Sequence, residues 1–375
     1  MKAYVKQELE KFIRSKKRVV EIKLKAKGDY KKGAVRILYN KLIFFLQTRI
    51  IPSHFKNWLL RTTGLKVGYD VCIPHYIKFD PYFPELITLG KGCLVGGDSI
   101  FITHQLKEKT LRLGKIDVAE RTLLGGMSLI KPGFKLNKNA MLMFISEAGG
   151  VIPAGELWGG EPAKKIMKFT PEQIEKFHKP STHDPAYYRK FRREVKAFLK
   201  DPKRTYFKIH YDGKRLNAGN DWWRARNVFR IWWNGVLVEL TILMPHCWLK
   251  TLMLRMVGLK IGKNCRIGKG VVFDHLFGDN ITLEDDVTIE DHVYLDGHEY
   301  TITQTVFGKT LLKKGVVLKK QCYVRTGTTV GENTVIEENS WIQREIPPNQ
   351  VWDGRPAAFL RNRKKLKTLK RASQP

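Results

Sequence analysis

The chain has 375 residues, enough for two domains of ordinary size, and its 43% of hydrophobic residues argues against global disorder. Its formal net charge of +32 at pH 7 favours an anionic partner: nucleic acid, anionic lipid or a phosphorylated substrate. No nucleic-acid-binding motif accompanies the charge, so we do not expect a nucleic-acid partner. Five cysteines without paired spacing predict reduced thiols and a cytoplasmic location.

Residues 1–58 are predicted to form a basic helical segment. It runs into the aromatic, apolar stretch "LYNKLIFFLQTRIIPSHFKNWLLRTTG". Pro52 interrupts this stretch, so it lacks the roughly twenty uninterrupted apolar residues of a transmembrane helix. We expect it to cover the end of the domain that follows, with contact to a membrane interface as an additional role.

Two modules, 59–169 and 251–363, are related by an internal duplication. His104 and His298 are separated by 298 − 104 = 194 positions, and the alignment needs no gap from Arg61/Arg255 to Ile166/Leu360. The same offset relates the further pairs Gly68/Gly262, Asp80/Asp274, Gly114/Gly308, Pro153/Pro347 and Trp158/Trp352.

Aliphatic or aromatic residues recur at every sixth position in both modules. Neither a helix nor a plain strand has this period, but short strands separated by corners do. Three such sides would close a coil, and stacked coils would enclose a column of apolar side chains. The residues concerned are Val67, Ile73, Phe79, Leu89, Val95, Phe101, Val118, Leu124, Ile130, Leu136 and Leu142 in the first module and Ile261, Ile267, Leu283, Ile289, Leu295, Leu312, Leu318, Val324, Val330, Ile336 and Ile342 in the second.

The repeat and the module ends "GGEPAKKI" and "DGRPAAFL" resemble the hexapeptide-repeat acyltransferases, and maltose, galactoside and colanic-acid-type O-acetyltransferases in particular. The resemblance covers about 100 residues in each module. It implies a mainly β fold with two tandem left-handed parallel β-helix domains, each preceded by helical segments. It further implies acetyl-CoA as acyl donor, and sites between adjacent coils of a homotrimer.

The period breaks just after each histidine, between Phe101 and Val118 and between Leu295 and Leu312. In the family that the modules resemble, a loop leaves the coil here and the histidine is the general base. Imidazole suits this task because it can accept a proton near neutral pH. His298 and His104 are therefore the predicted catalytic residues.

The resemblance also implies the remaining site residues. A backbone amide near Lys320, or near Gly126 in the first module, would stabilise the oxyanion. Arg344 in the second module, and Lys164 and Lys165 in the first, would bind the cofactor. The duplicated Asp274 and Asp80 are predicted to bind the acceptor.

A zinc site is the alternative for the second module, because His292 precedes His298 by six positions and gamma-type carbonic anhydrases carry zinc on a similar β-helix. Their pattern needs three imidazoles, and Asp98 takes the place of His292 in the first module. We therefore expect no metal.

Residues 170–250 are predicted to form a basic helical linker that ends in a second apolar stretch, interrupted at Pro245, and 364–375 to form a basic tail. The linker contains Trp222, Trp223, Trp232 and Trp233. With the net charge, these tryptophans predict a protein that is peripheral to an anionic membrane surface.

The predicted function is acetyl-CoA-dependent O-acetylation of a sugar or glycan hydroxyl. The alternative is a non-catalytic β-helix scaffold that binds an anionic partner through its basic surface.

Overall fold

A computed structural model describes residues 1–178, 185–210, 226–300 and 304–363. These residues fall into two compact units, one made of 1–178 and the other of 185–210 with the described residues from 226 onward. The predicted tail 364–375, Trp222 and Trp223 lie outside the described residues.

Helices occur in the segments that flank the two modules. In chain order they are α1 (Ala3–Arg14), α2 (Ala34–Gln47), α3 (His54–Arg61), α4 (Pro171–His178), α5 (Pro185–Lys200), α6 (Val228–Leu243) and α7 (Trp248–Val257), with 3-10 turns at Pro84–Leu86 and Gly278–Asn280. In the part of the chain that the structure describes, none of the helices combines the length and the apolar character needed to span a bilayer.

The strands of the first unit are short. They are β1 (Val19–Lys23), β2 (Lys66–Val67), β3 (Lys78–Phe79), β4 (Ile87–Leu89), β5 (Leu94–Val95), β6 (Ile100–Phe101), β7 (His104–Lys107), β8 (Thr110–Gly114), β9 (Ile116–Val118), β10 (Leu123–Leu124), β11 (Leu129–Ile130), β12 (Lys135–Leu136), β13 (Met141–Leu142), β14 (Glu147–Ala148), β15 (Val151–Ile152), β16 (Glu156–Gly159) and β17 (Lys164–Lys168).

The second unit repeats this pattern. Its strands are β18 (Tyr206–His210), β19 (Lys260–Ile261), β20 (Arg266–Ile267), β21 (Val272–Phe273), β22 (Ile281–Leu283), β23 (Thr288–Ile289), β24 (Tyr294–Leu295), β25 (His298–Tyr300), β26 (Gln304–Gly308), β27 (Thr310–Leu312), β28 (Val317–Leu318), β29 (Tyr323–Val324), β30 (Thr329–Val330), β31 (Val335–Ile336), β32 (Trp341–Ile342), β33 (Glu345–Ile346), β34 (Gln350–Gly354) and β35 (Ala357–Asn362).

Each module is a three-sided parallel β-helix. In the second module the chain visits in turn a first face (β19-β22-β27-β30-β33), a second face (β20-β23-β28-β31-β34) and a third face (β21-β24-β29-β32). The first module has the same three faces, β2-β4-β9-β12-β15, then β5-β10-β13-β16, then β3-β6-β11-β14. The predicted fold class of two tandem parallel β-helices, each preceded by helices, is confirmed.

The six-residue frame lines the interior of both coils. All its predicted residues are buried, and they form the two largest hydrophobic clusters. Strands pair in register, so that Ile289, Leu318 and Ile336 lie in one row of the column. None of the five cysteines, all of which lie in the described residues, forms a disulfide bond.

The segments before the modules are not wholly helical, contrary to the prediction for 1–58 and 170–250. Strand β1 pairs antiparallel with β8, and β18 pairs antiparallel with β26, so each segment adds a strand to a hairpin that leaves the coil. Short-range periodicity could not reveal this pairing, because the partner strands are distant in sequence.

Helices also cover the first coil of each module, as predicted. We call α2 with α3 the first cap, and α6 with α7 the second cap. Lys56 is buried in the first cap, where its Nζ donates to Ile50 O at 3.1 Å and to Pro74 O at 2.7 Å. Lys250 donates to the carbonyls at the two positions 194 residues later, 3.2 and 2.5 Å away. The duplication therefore includes the caps.

Truncation of one side chain in the column should destabilise the second unit. Leu318 is fully buried, so Leu318→Ala removes its packing and leaves a cavity, and we expect the free energy of unfolding to fall by about 2–5 kcal/mol. Glu332→Ala, at an exposed corner, is the control and should change it by about 0.5 kcal/mol or less. Equal denaturant midpoints for the two variants would contradict this account of the core.

Candidate active site

His298 opens strand β25, at the corner where the chain passes from the third face back to the first. Here the coil is interrupted by the hairpin of β25 and β26. Asp274 occupies the same corner one coil earlier, after β21. His298 Nδ1 lies 2.5 Å from Asp274 Oδ2, and the two side chains are 14% and 2% exposed. The interruption that the sequence revealed therefore creates a buried carboxylate–imidazole pair.

The Asp274 carboxylate is held entirely by groups of its own module. Its Oδ1 accepts from the backbone N–H of Leu276 and of Phe277, both at 2.8 Å, and its Oδ2 accepts from the N–H of Gly297 at 2.8 Å. Burial by itself would raise the pKa of Asp274, but the charge of His298 and these hydrogen bonds outweigh burial and lower the pKa to about 2. The carboxylate is thus an ionised, fixed acceptor.

This geometry does not fit the predicted acceptor-binding role of Asp274 and Asp80. Both carboxylates are buried, and their oxygens already accept hydrogen bonds from the protein itself. A sugar hydroxyl would have to displace one of these donors. Each carboxylate instead lies 2.5 Å from Nδ1 of the histidine of its own module.

Gly297 permits the close approach between the two coils at this corner. A Cβ added there would lie 2.4 Å from Phe277 O and 3.1 Å from Asp274 Oδ2. A side chain at position 297 would therefore require the Phe277 carbonyl to move, whereas the first module has Thr103 at the equivalent position.

Aromatic rings surround the His298 imidazole. The rings of Phe277 and Tyr300 meet it edge-on with centroids 5.1 and 4.7 Å away, and the Phe307 ring is stacked at 6.4 Å. Within the described residues, His298 Nε2 has no hydrogen-bond partner. The ring is therefore held through Nδ1 and by packing.

The first module repeats the pair. His104 Nδ1 lies 2.5 Å from Asp80 Oδ2, with exposures of 17% and 4%. Thr103 donates to the same oxygen through its N–H at 3.1 Å and its hydroxyl at 2.6 Å. Burial opposes ionisation of Asp80, but the hydrogen bond from His104 and the charge of the imidazole prevail and lower its pKa. The ring of Tyr30, from the segment before the module, lies 5.6 Å from the imidazole.

The other predicted site residues lie at different places in the modules. Arg344 is at the same corner as His298, two coils further along, with a left-handed backbone (φ 71°). Lys320 and Gly126 lie at the corner between the second and third faces, so neither shares a corner with the histidine of its own module.

Lys164 and Lys165 lie on β17, which pairs antiparallel with β16 on the second face, several coils beyond His104. Lys165 Nζ is bound to Glu156 Oε1 at 2.6 Å, and both lysines are exposed. The structure therefore does not bring these two lysines to the histidine of their own module.

An ion pair beside His298 escaped the sequence analysis. Arg325 lies at the same corner in the next coil and donates to both oxygens of Glu299, at 2.5 and 2.8 Å. Its Nη1 also donates to Gln343 Oε1 at 2.8 Å. Counting corners along the coil would have found this arginine, since the site includes every residue at that corner in adjacent coils.

No group of three or more histidine, cysteine, aspartate or glutamate side chains in the described part of the chain is arranged to hold a metal ion. His292, the residue behind the zinc alternative, is an exposed corner residue with a left-handed backbone (φ 60°).

Comparison with known proteins agrees with the repeat. The family model described as "Hexapeptide repeat of succinyl-transferase" matches residues 258–296. A protein named "Putative acetyltransferase YvoF", from Bacillus subtilis (strain 168), is 28% identical over 127 residues, which are 34% of this chain and 73% of that protein. The chain is therefore similar to the hexapeptide-repeat acyltransferases.

Further similar proteins include one much longer chain and two solved structures. Delta-poly-L-ornithine synthetase of Acinetobacter baumannii (strain AB307-0294) is 29% identical over 117 residues, which are 30% of this chain but 8% of that protein. A solved maltose O-acetyltransferase from Clostridium difficile 630 is 18% identical, with a TM-score of 0.32 over 40% of this chain and 94% of that one. A galactoside acetyltransferase in complex with coenzyme A is 17% identical, with a TM-score of 0.28 over 36% and 82%.

Because Asp274 is ionised, the free energy of unfolding should depend on pH in the acid range. Because its pKa is lower in the folded chain than in an unfolded one, its contribution is present above about pH 4 and is lost as pH falls towards about 2. The wild type should lose about 2 kcal/mol over this interval through this group. The Asp274→Asn variant should not show this decrease in the free energy of unfolding.

Denaturant unfolding at a series of pH values measures the effect. Asp286→Asn, at an exposed corner where the backbone is left-handed (φ 60°), is the control and should follow the wild type. A parallel acid response of Asp274→Asn and the wild type would contradict the account of the pair.

Proposed function

We propose that the chain is an acyltransferase that moves an acetyl group from acetyl-CoA to a hydroxyl of a sugar or glycan. The observation that carries the proposal is the duplicated pair of His298 with Asp274 and His104 with Asp80. In each, a buried carboxylate holds Nδ1 at 2.5 Å. The relationship to a protein named as a putative acetyltransferase supports the acyl-transfer class.

The proposed reaction uses Nε2 of the imidazole as the proton acceptor. With Nδ1–H bound to aspartate, the neutral imidazole carries its lone pair on Nε2, which can take the proton of an acceptor hydroxyl. The hydroxyl oxygen attacks the thioester carbonyl, and collapse of the tetrahedral intermediate expels the CoA thiolate. The imidazolium returns its proton to that thiolate, so the base is regenerated and no redox partner is needed.

The aspartates are positioning residues in this scheme. Asp274 keeps the proton of His298 on Nδ1 and stabilises the imidazolium that forms during attack, as its lowered pKa requires. The aromatic wall of Phe277, Tyr300 and Phe307 excludes water from the ring and strengthens this electrostatic contact.

A homotrimer in the cytoplasm completes the proposal. The Lys320 and Gly126 amides lie one corner away from the histidine of their own module, so they would serve its oxyanion from a coil of another copy. Arg344, Lys164 and Lys165 would then bind the phosphates of CoA at such clefts. In the family that the modules resemble, sites form in this way between adjacent coils.

Removal of the base should abolish turnover. His298→Asn should lower kcat for acetyl transfer in the second module by about 10²–10⁴-fold, because the hydroxyl loses its proton acceptor. His104→Asn tests the first module in the same way, and the double variant should retain no more than background. Release of CoA thiol from acetyl-CoA, measured with a panel of sugar acceptors, gives the rates.

His292→Asn is the matched control, because it removes an exposed histidine from the same module at a corner where asparagine tolerates the left-handed backbone. It should keep the wild-type rate. If the double variant of His298 and His104 turns over at the wild-type rate, the two histidines are not the bases. If the wild type binds no acetyl-CoA at all, the non-catalytic scaffold becomes the better account.

Light scattering tests the assembly. The purified chain at micromolar concentration should show three times the mass of one chain, because each site needs an amide from a second copy. A fully active monomer would contradict the shared site.

A further inference from the structure

The first cap carries apolar residues on its outer side as well as on its inner side. The inner side of α2 is buried through Asn40, Ile43, Phe44 and Gln47. Its outer side and that of α3 form what we call the first apolar face, which is exposed at Val35, Leu38, Tyr39, Leu42, Phe45, Leu46, Phe55 and Trp58. These positions follow helical spacing, so the outer face is one continuous stripe along α2 and not a scatter of single residues.

The second cap has an equivalent face. The inner side of α6 buries Ile231, Leu237 and Val238, and the last two belong to the hydrophobic core of the module. The outer sides of α6 and α7 form the second apolar face, which is exposed at Val228, Phe229, Trp232, Trp233, Val236, Leu240, Leu243, Trp248, Leu249, Leu252 and Met256. Phe229 is 82% exposed and Trp248 is 76% exposed. Exposure of such large apolar side chains to water is unfavourable.

The two faces correspond in part. At the offset of 194, seven positions are both apolar and exposed in the two caps: Val35/Phe229, Leu38/Trp232, Tyr39/Trp233, Leu42/Val236, Leu46/Leu240, Phe55/Leu249 and Trp58/Leu252. The remaining members of the faces do not all match, since Phe45, Leu243 and Trp248 correspond to Glu239, Arg49 and His54 at this offset. Burial within the unit cannot explain why the seven matching positions are apolar in both caps, because they are exposed in both units.

Charge shows which partner suits these faces. Residues 31–61 contain no acidic residue, and Lys31, Arg36, Lys41, Arg49 and Arg61 are exposed there. Residues 226–257 contain one acidic residue, Glu239, whose Oε1 lies 3.1 Å from His275 Nε2. On the second cap Arg255 is exposed, whereas Lys250 is buried and Arg226 pairs with Asp279. Two copies of the basic first face would repel each other, whereas an anionic surface would be attracted to it.

We propose that each apolar face docks onto the surface of a bilayer that contains anionic phospholipid. The caps would lie in the plane of the interface, with the tryptophans and leucines among the upper acyl chains and the arginines and lysines at the phosphates. This binding is peripheral, in keeping with the absence of any membrane-spanning helix from the described residues. It is independent of the acyl-transfer chemistry, since no residue of either face belongs to the His–Asp pairs.

Flotation with lipid vesicles tests the proposal. Vesicles of phosphatidylcholine alone and of equal parts phosphatidylcholine and phosphatidylglycerol are compared across a salt series. We expect the anionic vesicles to recruit more protein, and added salt to weaken the difference. Trp232→Ser with Trp248→Ser should lower the partition coefficient by about tenfold, because two large apolar side chains no longer enter the interface. Leu38→Ser with Trp58→Ser tests the first face separately.

Phe359→Ser with Leu360→Ser is the matched control, since these side chains on β35 are 51% and 54% exposed but lie outside both faces. It should partition as the wild type does, and circular dichroism should show that all variants are folded. The proposal is overturned if anionic vesicles recruit no more protein than neutral ones at low salt. It is also overturned if the face variants keep vesicle binding but break up an oligomer in light scattering, which would assign the faces to a second copy.

Discussion

A parallel β-helix can satisfy its backbone hydrogen bonds and bury its apolar column everywhere except at its ends. Each strand of a module pairs in register with the strand above and below it, and the fully buried residues Ile289, Leu318 and Ile336 show how the column propagates. The first coil has no neighbour before it, so its outward carbonyls and side chains need another partner. Much of the rest of the structure answers that requirement.

The caps supply this partner in an unusual way, through a buried lysine. Lys56 and Lys250 direct an ammonium group to one carbonyl in the cap and one at a corner of the first coil. Burial lowers the pKa of Lys56 to about 7 and that of Lys250 to about 8. The same arrangement in both units indicates that cap and coil were duplicated together as one folding element.

The sequence could predict the coil and the position of its interruption next to each duplicated histidine, because period and duplication are local or directly comparable along the chain. It could not predict the contact between Asp274 and His298, because the 24 positions between them contain a full coil whose register decides which side chains meet. Nor could it predict that Lys320 and His298 lie at different corners. Matching a residue to a family motif gives its position along the chain, but not the face or corner of the coil at which it lies. The pairing of β1 with β8 is likewise invisible to periodicity, because Val19 meets Gly114.

That last pairing has a consequence for the order in which the chain acquires its structure. Strand β1 is made long before β8, and β18 long before β26, so each must wait for a partner far along the chain. Contacts of such long sequence separation form slowly, after the locally wound coils. The strands β7 and β25, which begin with the histidines, lie in these late-forming sheets. Local unfolding of an upstream segment would therefore loosen the histidine while the coil itself stays wound, and amide hydrogen exchange would separate the two events.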